Sequence, residues 1–458
     1  MAFLRLILII IVGLGGVRLA CASDATFSHG RFENVRVFMP ERTVTSVAIY
    51  ISDPAGWKAQ DTESVQALQN SGSMVIALDS TQFFKVLASD DGDCEFPDGD
   101  IDNLSRYLQA YFKLPSYHQP LIVGVHSGAA LAFAITSQAP VDTFSGLITD
   151  GFCKELTLQK PICTGEGLMF SGVTNAKTHT ILNTSRLRVP WISLTDTATA
   201  DACVRQSAAD FQQLQMPLAI SAGERSAGTQ SARLLEGYQQ LAKRGVGTAQ
   251  SAPSSLEDLP LVPMPVSNSR PSYMAIFISG DGGWAGLDKG IAEGLVARGV
   301  PVVGWDSLRY FWTPRTPESL AADAERVLSY YQTRWGAEKV MLIGYSQGAN
   351  VLPFLLNRLS PETREKVGLA VMMGIEEEAS FEFHLSNWVG RSEGLAVAPE
   401  ISKFAQVKAV CFYGEDDDES ACPLLDRTKI KIIKLEGGHH FDGGFDALAQ
   451  RILSERTL

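Results

Sequence analysis

Short, uninterrupted apolar runs alternate with amphipathic stretches along most of this chain. Val47-Ala48-Ile49-Tyr50-Ile51, Leu121-Ile122-Val123-Gly124-Val125 and Ala275-Ile276-Phe277-Ile278 show no polar alternation, which predicts strands buried on both faces. Further strands fit Leu369–Met373, Ala409–Tyr413 and Lys431–Leu435. Ser231–Arg244, Lys289–Arg298, Pro317–Arg334 and Ala349–Leu359 repeat their apolar positions at helical spacing. Strands of this kind alternating with helices predict a mainly parallel sheet covered on both faces, an α/β fold. Reactive groups in such sheets collect at the carboxyl ends of the strands.

The pattern occurs twice. Val47 to Asp53 leads to Gly56-Trp57, as Ala275 to Asp281 leads to Gly283-Trp284. Val75-Ile76-Ala77-Leu78-Asp79-Ser80 then matches Val302-Val303-Gly304-Trp305-Asp306-Ser307. Leu121 to Ala129 matches Met341 to Ala349. Three matches in one order predict a duplicated domain. Between the copies, Pro253, Pro260, Pro263, Pro265 and Pro271 mark residues 251–271 as a linker or lead-in. The expected organisation is an N-terminal leader over 1–22, a first domain over 23–250 and a second over 272–458.

The leader is read from Arg5, the apolar run Leu6 to Val17 and the small residues Ala20-Cys21-Ala22. A charged start, a short apolar core and an A-x-A site describe a secretory signal peptide. Its removal takes away Arg5 and Arg18 and no acid, moving the formal charge from −12 to −14. An acidic chain without a basic block is a poor binder of polyphosphate, so nucleic acid is not an expected partner. Six cysteines remain after cleavage, and an even count in an exported protein predicts disulfides. Sequence proximity favours Cys153–Cys163 and Cys411–Cys422, leaving Cys94–Cys203. No C-x-x-C spacing occurs, so no metal site is expected.

Candidate chemistry lies in the second copy. Gly344-Tyr345-Ser346-Gln347-Gly348 is a G-x-S-x-G motif between an apolar strand and a helix. That turn exposes the serine above the sheet. A serine hydroxyl needs an imidazole to take its proton, and the imidazole needs an acid to fix its tautomer. Downstream strands end in Gly414-Glu415-Asp416-Asp417-Asp418-Glu419 and Gly437-Gly438-His439-His440. The expected triad is Ser346, Asp417 and His439, with Asp416, Asp418 and His440 as alternatives. Oxyanion donors are expected from the backbone of Gln347 and of Asp281 or Gly282. Such chemistry requires no cofactor. In the first copy His126 stands where Ser346 stands in the second, and no histidine follows Asp196 before the second copy begins. The fold expected is two tandem α/β-hydrolase-like domains, the first degenerate.

The second copy resembles the VirJ/AcvB family of exported bacterial proteins. The resemblance rests on Ser279 to Trp284, Asp306 to Trp312, Gly344 to Asn350 and Gly437-Gly438-His439-His440-Phe441-Asp442-Gly443. The two-copy length is similar to the longer, AcvB-type members. The resemblance implies a periplasmic hydrolase of aminoacylated phosphatidylglycerol, chiefly the lysyl ester, working at the membrane surface. It also implies a link to virulence and type IV secretion, so a binding or chaperone role toward secretion components is the alternative. Ser346 inherits the nucleophile role, and His439 or His440 the base. A lysyl ester carries two ammonium groups, so Glu376, Glu377 and Glu378 are candidate substrate contacts, with Asp306 a candidate pocket residue.

Overall fold

The computed structural model describes residues 26–456 apart from 89–92, 141, 166, 172–177, 197–198, 200, 213–218, 227, 245–254, 268–269, 285, 384–393 and 405–406. The expected leader and Cys21 lie outside the described residues. The sheet of the second half runs Leu261–Met264, Val302–Trp305, Tyr273–Ile278, Lys339–Tyr345, Val367–Met373, Ala409–Gly414, Lys431–Leu435. Only the first of these strands is antiparallel to its neighbour. The sheet of the first half runs Thr26–His29, Phe32–Phe38, Ser73–Leu78, Ser46–Ile51, Leu121–Val125, Gly146–Asp150, Trp191–Asp196, Ala219–Ser226. Without the extra edge strand Thr26–His29, the two orders coincide strand for strand. Both halves have the α/β-hydrolase arrangement.

Duplication reaches the hydrogen bonds. Ser80 Oγ bonds the Ser52 carbonyl, and Ser307 Oγ bonds the Ser279 carbonyl. In return the Ser52 and Ser279 hydroxyls accept from the Ser80 and Ser307 amides, at 3.3 and 3.0 Å. These serines are fully buried at strand ends, where an unpaired backbone group would be costly. Each sheet carries an apolar layer on both faces. Trp305, Leu328, Leu352 and Ile401 lie in one layer of the second half, and Phe277, Ile291, Val410 and Ile452 in the other. That double burial is why the central strands read as continuous apolar runs.

Helix ends follow local signals. Thr316 caps Pro317–Trp335 by accepting from Ser319 N at 3.1 Å, and Gly336 closes it with φ 69°. Such a cap contributes about 1 kcal/mol. Within 251–271, read as linker or lead-in, the described residues 255–267 enter the second core early. Leu256 and Leu259 are buried there, and Leu261–Met264 forms the sheet's outer strand. Pro263 is tolerated because an edge strand can spare an amide.

Two of the three expected disulfides are corrected. Cys411 pairs with Cys422, but Cys153 pairs with Cys203 and Cys94 with Cys163. Gly146–Asp150 and Trp191–Asp196 are adjacent parallel strands, so the loops after them, carrying Cys153 and Cys203, lie side by side. A short backbone bridge, with Glu95 N on Pro161 O and Cys163 N on Glu95 O, brings Cys94 to Cys163. Sheet neighbours decide the pairing, not distance along the chain. Three disulfides point to an oxidising compartment outside the cytoplasm. Among the described residues, no helix is long and apolar enough to cross a membrane.

Candidate active site

The strand Lys339–Tyr345 ends at Ser346, which begins the helix Gln347–Arg358 with φ 49° and ψ −116°. A non-glycine residue there stores about 1–3 kcal/mol of strain. The flanking glycines explain why the turn exists. A Cβ on Gly348 would run into the Ile278 carbonyl, and one on Gly344 into the Gly348 carbonyl. Gly348 N instead donates to Ser279 O at 3.1 Å, and Ser346 N to Met373 O at 2.9 Å. Ser346 is half-buried at the carboxyl edge of the sheet.

His439 lies across the next strand end. A Cβ on Gly374, which directly follows Met373, would stand 2.8 Å from His439 Cε1. His439 Nδ1 is 2.9 Å from Asp417 Oδ2. Because a carboxylate only accepts, the proton sits on Nδ1 and leaves Nε2 free to take one. Asp417 is the acid turned inward, with a side chain 4% exposed. Asp416, Asp418 and Glu419 are exposed, and Glu415 pairs with Lys434 at 3.2 Å. His440 turns elsewhere, its Nδ1 2.6 Å from the Tyr345 hydroxyl. Burial and the neighbouring His439 lower its pKa. The buried Cys411–Cys422 bridge closes the loop that carries Asp417. Replacing both cysteines by alanine should reduce the stability of this half by roughly 3 kcal/mol; an unshifted urea midpoint would count against that role.

The glycine-rich loop follows Ser279. Gly283 N donates to Gly280 O at 3.0 Å, and Gly283 has φ 83°. Gly280 packs against Tyr345 and Ser346, while Asp281 and Gly282 are exposed. The Gln347 side chain reaches Ser380 O at 3.5 Å. Asp306 is buried, accepts from Arg309 N at 3.1 Å, and caps Ser307–Tyr310. A Cβ on Gly283 would stand 3.1 Å from its Oδ1. Asp306 therefore supports the loop from behind, and burial raises its pKa.

The three glutamates separate. Glu376 is half-buried and held by Asn350, whose amide donates to Oε2 at 3.1 Å while its Oδ1 accepts from Glu376 N at 2.8 Å. Burial raises the Glu376 pKa, with the Asn350 bond and nearby His439 opposing. Glu377 and Glu378 are exposed, and Glu378 accepts from Gly394 N beside a short antiparallel pairing of Glu378–Ala379 with Leu395–Ala396. The structure does not bring those two to the site. Asn350 was missed in the sequence, although it stands one turn after Ser346 on the same helix face.

The first half keeps the turn without the serine. His126 has φ 51° and ψ −121°, and Gly128 is pressed against the Ser52 carbonyl. A cavity of about 450 Å³ opens beside it, lined by Gln60, Asp150, Asp196, Thr199 and Arg233. Gln60 Nε2 lies 3.3 Å from His126 Nε2. Arg233 clamps buried Asp150 through Nε at 3.1 Å and Nη2 at 2.6 Å. Among the described residues, Cys153, Glu155 and Cys203 come close enough to hold a cation, but both sulfurs are committed to a disulfide.

Solved structures similar to this chain include Est1E from Butyrivibrio proteoclasticus, 16% identical, with 43% of this chain and 95% of that one covered and a TM-score of 0.34. The esterase Pf2001 from Pyrococcus furiosus is 14% identical over 41% of this chain and 84% of its own, with a TM-score of 0.31. The naproxen esterase, carboxylesterase NP, from Bacillus subtilis is 12% identical over 42% and 86%, with a TM-score of 0.32. No curated protein matches the chain. The family model described as bacterial virulence protein (VirJ) matches residues 272–457, so the second half of this chain is a VirJ family domain.

Proposed function

We propose that this protein is a periplasmic serine esterase that hydrolyses the aminoacyl ester of lysyl-phosphatidylglycerol. The observation that carries the esterase reading is the 2.9 Å contact of His439 with the buried Asp417 side chain, with His439 over the strand end next to the one that carries strained Ser346. In this reading His439 Nε2 takes the Ser346 proton as Oγ attacks the ester carbonyl. Charge develops on the carbonyl oxygen, which backbone N–H groups of Gln347 and of Asp281 or Gly282 stabilise. The lipid glycerol oxygen then leaves with the proton from His439, giving a lysyl-enzyme. Water, deprotonated by the same imidazole, attacks the acyl carbon and releases lysine and free Ser346.

The VirJ family domain and the acidity of the site support an aminoacyl lipid as substrate. An ammonium group drawn to half-buried Glu376 would oppose the effect of burial and favour the charged carboxylate. The comparison is hydrolysis of lysyl-, alanyl- and unmodified phosphatidylglycerol in vesicles. The lysyl ester should be preferred, and Glu376→Gln should lower its kcat/KM roughly tenfold, equivalent to about 1.4 kcal/mol. Equal turnover of both esters, unchanged by Glu376→Gln, would remove charge selection and leave the esterase reading standing. The pocket kept beside His126 favours a second, binding role for the first half, compatible with contacts to secretion components.

A further inference from the structure

The described residues of the first half bring together no complete reactive constellation, yet one of its arginines reaches the proposed oxyanion loop of the second. Arg106 lies on the helix Pro97–Tyr111. Its Nη1 donates to the Asp281 carbonyl at 3.2 Å and its Nη2 to the Gly282 carbonyl at 2.9 Å. The guanidinium is aimed from behind by Asp102, whose Oδ2 lies 2.6 Å from Nη2. Asp102 also accepts from the Tyr117 hydroxyl at 3.2 Å. Tyr117 packs on Trp312 with centroids 5.3 Å apart, and Trp312 Nε1 donates to Leu114 O at 2.8 Å. The Arg106 side chain is only 11% exposed.

We infer that Arg106 is a positioning residue, through which the first half holds the oxyanion loop of the second in its working shape. This rests on the esterase reading above. A peptide unit is planar and trans, so fixing one carbonyl fixes the N–H on its opposite side. Gripping the Asp281 carbonyl therefore directs the Gly282 N–H, one of the two candidate donors. Gripping the Gly282 carbonyl directs the Gly283 N–H, which closes the turn onto Gly280 O at 3.0 Å. The loop has little packing of its own here. Gly282 is exposed, and a Cβ added to it would meet nothing within 4 Å. Glycine has the widest backbone freedom of any residue, so an unheld loop would spread over many orientations. A cation on the carbonyl also polarises the peptide and strengthens its N–H as a donor. Oxyanion donors work only when oriented in advance, and losing one typically costs about 10²–10³ in kcat.

The test measures Ser346-dependent hydrolysis of a p-nitrophenyl ester by the full chain and three variants. Arg106→Gln should lower kcat roughly 10- to 100-fold with KM changed less than about threefold, because the interaction matters in the transition state. Affinity for a trifluoromethyl ketone, which forms an oxyanion on Ser346, should fall by a similar factor. Arg106→Lys should recover part of the loss. Lys289→Ala, which removes the seam ion pair with Asp142 at 3.3 Å, should leave kcat unchanged. A kcat for Arg106→Gln within twofold of the parent would overturn the inference. So would an equal loss in Lys289→Ala, which would mark general loosening of the seam. Parent protein without Ser346-dependent turnover would instead defeat the esterase reading itself.

Discussion

Ser346→Ala should lower ester hydrolysis by on the order of 10⁴-fold or more, while thermal unfolding changes little. The size follows from the shared work of the group. Once the nucleophile is gone, His439 has no proton to take and Asp417 no imidazolium to stabilise. Adding His439→Ala to Ser346→Ala should therefore cost almost nothing further. The turn should survive, because Gly344, Gly348 and the Ser346 N to Met373 O bond set it, and the hydroxyl does not. Turnover by Ser346→Ala equal to the parent, measured on lysyl-phosphatidylglycerol and on a simple ester, would remove Ser346 from the chemistry. His126→Ser should create no second active centre, since no histidine follows Asp196 in that half to complete the order nucleophile, acid, base.

Arg233→Ala should be the most destabilising single change in the first half. Arg233 and Asp150 are 5% and 2% exposed, and their pairing is two-pronged. Truncating the arginine leaves a buried carboxylate without its partner, which typically costs about 3–5 kcal/mol. The same truncation frees the Gly228 carbonyl, bonded at 2.7 Å. Unfolding of that half should move down by roughly 6–20 °C. Changing both partners, Arg233→Met with Asp150→Leu, should recover much of the loss, because no buried charge loses its partner; Asp196, 3.4 Å from the guanidinium, is 43% exposed. Calorimetry with and without the second change separates these outcomes. A shift under about 2 °C for Arg233→Ala would mean that water reaches Asp150 and replaces its partner.

The central strands were legible because burial on both faces erases polar alternation. Val367–Met373, Ala409–Gly414 and Lys431–Leu435 lie within two residues of the runs that announced them. The edge strand Lys431–Leu435 was legible too, but two other outer strands were not. Phe32–Phe38 mixes buried and exposed positions, and Leu261–Met264 hides among prolines. The acid loop shows a different limit. Five consecutive charges follow Gly414, and composition cannot tell which one turns inward; the backbone bonds of Asp416 to Gly437 and of Asp417 to Gly414 decide it. Likewise Glu376, Glu377 and Glu378 are alike as letters, and only Glu376 finds Asn350. Cys153 and Cys163 are close in sequence, but their partners come from strand order, which a linear reading does not contain. Arg106 carried no signal at all, because its meaning arises between the two halves.

The left-handed turn at His126 stands without a serine. Gly124 and Gly128 leave no room for side chains and keep the chain crossing the Ser52 carbonyl, whichever residue stands between them. The glycine spacing is thus a steric inheritance, and the central residue is a separate, replaceable choice. A search that demands serine in this pattern will pass over silent copies of the domain. One that leaves the middle position open, and asks for an apolar strand before it and a helix after it, will recover both members of the pair.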